Sequence, residues 1–168
     1  MTKFGLYFCA ILIIFFSGCS QSGSTAFLAP STLSGSSAKF EGDVSDPGSI
    51  AFFKNNVGDR VLFSVDQSDI DQSGRDILLA QVDWLKVNSD YKIIIEGHAD
   101  ERGTREYNLA LGARRANSAR EFLVSRGIES SRIKTVSFGK ERPVELCSNE
   151  NCYSENRRAV SVVSNLNF

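Results

Sequence analysis

The chain has 168 residues, a formal net charge of −1 and 23% charged side chains. This length accommodates one ordinary domain with tails, because single domains cluster near roughly 100–150 residues. The near-neutral charge argues against the basic face that phosphate binding needs, so we expect no nucleic-acid partner.

The first 18 residues have the pattern of a secretory signal peptide. A weakly basic start precedes an apolar run at 4–16, which is shorter than the about 20 residues that a helix needs to cross a bilayer. Small residues stand directly before Cys19. This arrangement resembles the lipobox of bacterial lipoproteins, in which the chain is cut before the cysteine and the cysteine is acylated. An ordinary signal peptidase site is the alternative. Ser20, rather than Asp, resembles lipoproteins that are passed to the outer membrane.

Residues 19–54 are predicted to form an acylated N-terminus and a flexible tether. The segment 20–49 is rich in Ser and Gly and shows neither a helical nor a strand period, which is typical of a linker. Two or more acyl chains on Cys19 convert a soluble domain into a stably anchored one. We therefore expect a domain held at the outer membrane by lipid and facing the periplasm.

Strand-like and helix-like segments alternate through the predicted domain at 55–168. In chain order the predictions are a strand at 61–65, a helix at 71–88, a strand at 92–96 buried on both faces, a helix at 105–126 capped by Gly127, a strand at 132–138, a loop region with a short helix at 139–156, and a strand at 158–164. The inward stripes of the two long helices are predicted as Leu78, Val82 and Leu85, and as Leu109, Ala113, Ala116 and Leu123. The alternation predicts an α/β sandwich, with helices covering a small sheet that has parallel neighbours.

Cys147 and Cys152 lie close together in the run CSNENC. Because an exported chain enters an oxidising compartment, we expect a local disulfide, with two free thiols as the alternative. Two cysteines and the lone His98 do not supply a closed four-ligand zinc site, and no cofactor is expected. His98 is predicted to be a structural residue that forms hydrogen bonds, rather than a base or a metal ligand.

A polar loop follows the most apolar strand, and Asp100 lies in it before the second long helix. Ligands of α/β sheets bind beyond the carboxyl ends of strands. Asn108, Leu111 and Arg115 share one face of the helix at i, i+3 and i+7. A guanidinium fork matches a carboxylate while Asp100 takes an ammonium, so the predicted ligand carries both groups, as an amino acid does. The alternatives are a solvated loop and an ordinary surface arginine.

Three longer runs, GHADERGTREYNLALGARRAN (97–117), SFGKERPVEL (137–146) and SENRRAV (154–160), resemble the OmpA-like domain family over about residues 57–165. The resemblance implies a small mixed sheet with helices on one side, and non-covalent binding of the diaminopimelate of the peptidoglycan stem peptide. It further implies that Asp100 and Arg115 hold the ammonium and carboxylate, that Asn108 and Leu111 line the pocket, and that Asp66 closes it. Val65, Arg105 and the two loop cysteines depart from the family pattern. Arg157 and Arg158 match it, but packing and salt bridging against the sheet explain them equally well, so they are not included in the predicted site.

The resemblance implies a lipid-anchored protein that joins the outer membrane to peptidoglycan. Its implied partners are TolB and other Tol proteins, with a role in envelope integrity and cell division. A lipid-anchored protein-binding module with little wall affinity is the alternative. No nucleophile motif of hydrolase type is present, so we expect no enzyme. Replacing Asp100 or Arg115 by Ala is expected to abolish wall binding while leaving the fold intact.

Overall fold

The computed structural model describes residues 42–165, so the signal segment, Cys19 and most of the predicted tether lie outside the described residues. The helices are α1 (Ile50–Phe52), α2 (Gln72–Val87), α3 (Arg105–Ser125) and α4 (Glu150–Asn156), and the strands are β1 (Arg60–Leu62), β2 (Lys92–His98), β3 (Ile133–Gly139) and β4 (Arg158–Ser164). A π-helical turn, Phe53–Gly58, continues α1, and a 3₁₀ turn, Ser130–Arg132, precedes β3. Within 42–165 none of the helices combines the length and the apolar character needed to cross a membrane.

The four strands of the described residues form one mixed sheet in the order β1–β4–β2–β3. β2 and β3 are parallel and are connected through α3, whereas β4 runs antiparallel to both β1 and β2. In the central register Ile93 pairs with Ile133 on one side and with Val163 on the other. The predicted small mixed sheet with helices packed on it is confirmed.

Both long helices begin at side-chain caps. The Asp71 carboxylate accepts a hydrogen bond from the Gly74 amide at the start of α2, and the Thr104 hydroxyl accepts one from the Tyr107 amide at the start of α3. α3 is followed by Gly127 at φ +95°, a conformation that suits glycine, as the sequence predicts. The predicted helix ends are within one residue of the observed ones.

The core lies between the helices and one face of the sheet. Ile93 and Ile95 of β2 are fully buried, as are Leu78 and Leu85 of α2, so the α2 stripe is confirmed. The α3 stripe is half right: Ala116 and Leu123 are fully buried, but Leu109 is 49% exposed and Ala113 is exposed too. The buried face of α3 carries Asn108, Leu111, Gly112, Arg115, Ala116, Ala119 and Leu123. Because two of these residues are strongly polar, apolar periodicity alone does not predict the first half of this face.

Burial of β2 on both faces is also a wrong prediction. Burial alternates along the strand, and Ile94 and Glu96 are only partly buried. The reason is that α2 and α3 cover one face of the sheet, so the side chains of the other face remain partly in contact with solvent.

α3 crosses β2 in backbone contact at a pair of glycines. A Cβ atom on Gly97 would lie 1.8 Å from the carbonyl oxygen of Gly112, and one on Gly112 would lie 2.7 Å from the carbonyl oxygen of Gly97. No side chain fits at either position without moving the helix. This close approach brings the first half of α3 directly beside the polar loop that follows β2.

The folded domain begins before residue 55, so the predicted tether is too long at its C-terminal end. Phe53 is fully buried and packs on Trp84 with ring centroids 4.9 Å apart. The Trp84 indole N–H donates to the carbonyl of Pro47 at 2.7 Å, and the Tyr91 hydroxyl donates to that of Gly48 at 3.0 Å. Aromatic packing and these two hydrogen bonds attach residues 47–53 to the domain.

Candidate functional site

A cleft of about 320 Å³ opens at the carboxyl end of β2. It is lined by all five residues that the sequence predicts for the site, namely Asp66, Asp100, Asn108, Leu111 and Arg115, together with Val65, Arg102, Gly103 and Tyr107. The side chains of opposite charge therefore border one cavity. A larger cleft of about 510 Å³ lies beside Arg105 and Phe138, but none of its charged side chains is buried. We therefore take the smaller cleft as the candidate site.

Asp100 is the acidic group of the cleft and is only 7% exposed. Its Oδ1 accepts hydrogen bonds from the Arg102 amide at 3.1 Å and from Arg102 Nε at 3.3 Å. Its Oδ2 accepts from Arg102 Nη2 at 2.6 Å and from Arg157 Nη1 at 3.3 Å. Burial by itself raises the pKa of Asp100, but the hydrogen bonds from the two arginines outweigh burial and hold that pKa below its usual value. The carboxylate is therefore ionised at neutral pH.

Arg115 is the basic group of the cleft and is fully buried. Its guanidinium donates to three backbone carbonyls, those of Gln67 at 2.8 Å, His98 at 2.8 Å and Ser64 at 3.2 Å. Among residues 42–165 it forms no ion pair with an acidic side chain. Burial lowers the pKa of Arg115 to about 10, so it still carries its charge at neutral pH. A buried guanidinium without a carboxylate partner can accept one from a ligand.

Asp66 forms the rim of the cleft with Tyr107. Asp66 has φ 59°, the one non-glycine residue with positive φ in the described part of the chain. Its carboxylate accepts a hydrogen bond from the Tyr107 hydroxyl, and this bond raises the pKa of Tyr107. The left-handed backbone at Asp66 thus directs its carboxylate across the cleft toward α3.

Asn108 and Leu111 occupy the α3 side of the cleft. Asn108 is 2% exposed, and its Nδ2 donates to the carbonyl of Arg102 at 2.6 Å. This bond fixes the loop that carries Asp100. Leu111, also buried, provides an apolar wall.

The positively charged partners of Asp100 were not predicted from the sequence. Arg157 is buried, and it donates to Asp100, to the carbonyl of Phe63 at 3.0 Å and to Glu150 Oε1 at 2.5 Å. Arg157 thus forms an ion pair with Asp100, as the salt bridging expected of it allows, but it does not line the cleft. The run SENRRAV indicates such a residue without showing its partner. Arg102 and Tyr107 were missed because nothing in their spacing marks them.

The loop that carries Asp100 is held from outside by the segment before β4. The structure joins Cys147 to Cys152, which lies in α4, by a disulfide. Ser148 Oγ and the Tyr153 hydroxyl both donate to Glu101 Oε1, at 2.7 and 2.9 Å. The loop cysteines therefore restrain a segment that contacts the wall of the cleft.

His98 lies at the end of β2 with its ring on the opposite face of the sheet from α3. Both ring nitrogens are buried without a hydrogen-bond partner among the described residues, and Nε2 is 3.6 Å from Glu96 Oε2. Burial, with a smaller effect of nearby Arg158 and Arg142, lowers the pKa of His98 to about 4. The predicted hydrogen bonding of this side chain is wrong. Its backbone carbonyl, which accepts from Arg115, is the atom that serves the cleft.

The fold and the cleft define a class of protein: a small α/β domain with opposite charges fixed around one cavity. The model of the OmpA family matches residues 62–161. The chain therefore belongs to the OmpA family.

Two curated relatives share much of the sequence. The peptidoglycan-associated lipoprotein of Mesorhizobium japonicum is 45% identical over 164 residues, which cover 98% of this chain and 94% of that protein. The peptidoglycan-associated lipoprotein of Agrobacterium fabrum is 54% identical over 117 residues, which cover 70% of this chain and 66% of that protein. The first of these similarities includes the N-terminal region that the structure does not describe.

Two solved structures have a similar fold. The crystal structure of the peptidoglycan-associated lipoprotein from Burkholderia pseudomallei matches with a TM-score of 0.64 and 36% identity, covering 72% of this chain and 98% of that one. The C-terminal domain of Helicobacter pylori MotB matches with a TM-score of 0.54 at 20% identity, covering 63% of this chain and 84% of that one. The second likeness concerns the fold alone.

Proposed function

We propose that the protein is an outer-membrane lipoprotein that binds peptidoglycan non-covalently, through the diaminopimelate of the stem peptide. The observation that carries this proposal is the placement of Asp100 and Arg115 around one cleft, both largely removed from solvent. The names of the relatives, which are peptidoglycan-associated lipoproteins, support the same ligand class.

The binding chemistry is that of a two-ended grip. The free D-centre of diaminopimelate presents an ammonium to Asp100 and a carboxylate to Arg115, as two charge-assisted contacts in a largely buried cleft. A guanidinium has five N–H groups, and the two of Arg115 that do not donate to the three carbonyls are the donors proposed for the carboxylate. Leu111 packs against the methylene chain between the ends. The Asp66–Tyr107 rim opens to admit the ligand.

The anchor completes the proposed role. Cleavage before Cys19 and acylation of that residue hold the chain in the outer membrane, while the domain binds the wall in the periplasm. Individual contacts need not be strong, because a tethered domain present in many copies gains avidity. We further propose that it acts in a Tol–Pal system, with TolB and other Tol proteins as partners, in envelope integrity and cell division. It acts as a binding protein rather than an enzyme.

A sedimentation assay tests the wall-binding proposal. Purified residues 42–168 are mixed with isolated sacculi that contain diaminopimelate and are then centrifuged. The wild type is expected in the pellet, and Asp100→Asn in the supernatant because the neutral amide no longer attracts an ammonium. Asp83→Asn, the same charge change on the exposed side of α2, is the control and should sediment as the wild type does.

Two results would contradict the proposal. Wild-type protein that stays in the supernatant would favour the alternative function, a lipid-anchored module for protein partners. Equal sedimentation of Asp100→Asn and the wild type would mean that the wall is bound elsewhere on the domain.

A further inference from the structure

The acceptor capacity of Asp100 is already filled within the protein. An ionised carboxylate offers about four lone-pair positions, two on each oxygen. Arg102 donates three hydrogen bonds to them, one from its backbone amide and two from its guanidinium, and Arg157 donates the fourth. A ligand ammonium therefore has no acceptor on Asp100 until one of these donors leaves.

The two arginines differ in how easily they can leave. The Arg157 side chain is 6% exposed and is also bonded to Phe63 and Glu150. The Arg102 side chain is 44% exposed, and two of its three bonds to Asp100 come from the guanidinium of that side chain. Arg102 is consequently the donor that an incoming ammonium can displace.

The structure also provides a second place for the Arg102 guanidinium. Its Nη1 is 3.8 Å from Glu150 Oε2, and its Cζ lies 4.6 Å from the centre of the Tyr153 ring. Both partners lie on α4, and neither lines the cleft. A guanidinium that leaves Asp100 can remain paired with Glu150 and stacked on Tyr153.

We propose that Arg102 is an internal competitor of the ligand, which occupies the ammonium position of Asp100 until a cationic ligand replaces it. The inference rests on the proposed function, because it concerns the same cleft and the same ligand. When the ammonium of a ligand replaces the Arg102 guanidinium, one cation takes the place of another and Asp100 stays fully bonded. A ligand without that group cannot complete the exchange, since displacing Arg102 would leave buried lone pairs of Asp100 without donors. Arg102 therefore competes with the free amino group of a ligand and has no such effect on a ligand that lacks one.

Calorimetric titration of the full-length chain in detergent tests the exchange. The probe is the soluble disaccharide tetrapeptide that contains meso-diaminopimelate, and a second probe is the same molecule with its free amino group acetylated. Arg102→Ala removes the internal cation and should bind the first probe about tenfold more tightly, because one charge-assisted contact no longer has to be broken. Arg102→Lys, which keeps a cation without the planar fork, should fall between Ala and the wild type.

The matched control is Arg105→Ala. Arg105 is likewise an ion-paired arginine beside the loop, bonded to Glu141 at 3.3 Å, but it lies outside the cleft. The Arg105→Ala variant removes the same charge and should change the affinity for the free-amine probe less than about twofold. Neither Arg102→Ala nor Arg105→Ala should alter the affinity for the acetylated probe.

Each outcome is decisive. Tighter binding by Arg102→Ala that is confined to the free-amine probe supports the exchange, including a result in which only the variant binds. If the wild type binds the free-amine probe and Arg102→Ala binds it equally or more weakly, the proposed function stands and the exchange is overturned. An equal gain in affinity of Arg102→Ala for both probes has the same meaning. If neither the wild type nor the variant binds, both the proposed function and the exchange fail.

Discussion

Arg115 is proposed to bind the ligand and also joins two segments of the fold. Replacing it by Lys keeps the positive charge but removes the planar fork. The guanidinium reaches three carbonyls from two segments, Ser64 and Gln67 after β1 and His98 at the end of β2. An ammonium lacks the planar fork and loses at least two of these bonds. Hydrogen bonds from charged groups contribute about 1.5–3 kcal/mol each, so we expect Arg115→Lys to lose about 3–6 kcal/mol of unfolding free energy. This is a large part of the roughly 5–15 kcal/mol of an ordinary domain.

Urea denaturation of residues 42–168 measures this loss. Arg114→Lys is the matched control, since it is the same substitution at the adjacent but exposed position of α3 and should stay within about 0.5 kcal/mol of the wild type. Sacculus sedimentation at low temperature, where the variant is still folded, should also show weaker binding. An Arg115→Lys protein as stable as the Arg114→Lys control would refute the structural role. The same reasoning revises the sequence-based expectation that Arg115→Ala leaves the fold intact.

Two further predictions concern groups next to the cleft. His98 has a pKa of about 4 in the folded chain, whereas an unperturbed histidine has a pKa of about 6.5. The unfolded chain therefore takes up the proton first, and the free energy of unfolding falls as the pH drops below about 6.5, by up to about 3 kcal/mol at pH 4. His98→Phe should lack this part of the acid loss in urea titrations at pH 7 and pH 4; an unchanged acid loss would contradict the assignment. Replacing Cys147 and Cys152 by Ser should lower the unfolding free energy by about 2 kcal/mol, the chain-entropy value for a loop with a sequence separation of 5. Adding a thiol reductant to the wild type should give the same decrease, and no decrease would mean that the crosslink does not stabilise the fold.

Local signals in the sequence are sufficient for most of the fold. Asp71 and Thr104 are side-chain caps, and Gly127 ends α3 with positive φ, so three helix boundaries depend on residues within one turn of the boundary itself. The β-branched run in β2 and the apolar stripe of α2 likewise show in short windows. The mixed sheet then follows from the alternation of strands and helices.

The buried face of α3 could not be read in the same way. Asn108 and Arg115 are buried because the loop carbonyls around them need donors, and those carbonyls belong to segments elsewhere in the chain. Periodicity counts such residues as solvent-facing and therefore selected Leu109 and Ala113 for the interior. The shared helical face of Asn108, Leu111 and Arg115, and then the family motif, predicted Arg115 for the site, whereas hydrophobicity alone placed Leu109 and Ala113 in the interior.

The pairing of Asp100 with Arg157 joins residues 57 positions apart in the chain and depends on the antiparallel placement of β4 beside β2. No local pattern contains such information.

The same long-range geometry explains why a polar loop follows the most apolar strand. Gly97 and Gly112 let α3 approach β2 at backbone distance, so that Arg115 meets the carbonyl of His98 and Asp100 meets Arg157 beside one cleft. The side chains proposed to bind the ligand therefore also hold together the segments that form its site. Variants at Arg115 change affinity and stability together, whereas the half-exposed side chain of Arg102 offers a change in affinity with the fold preserved.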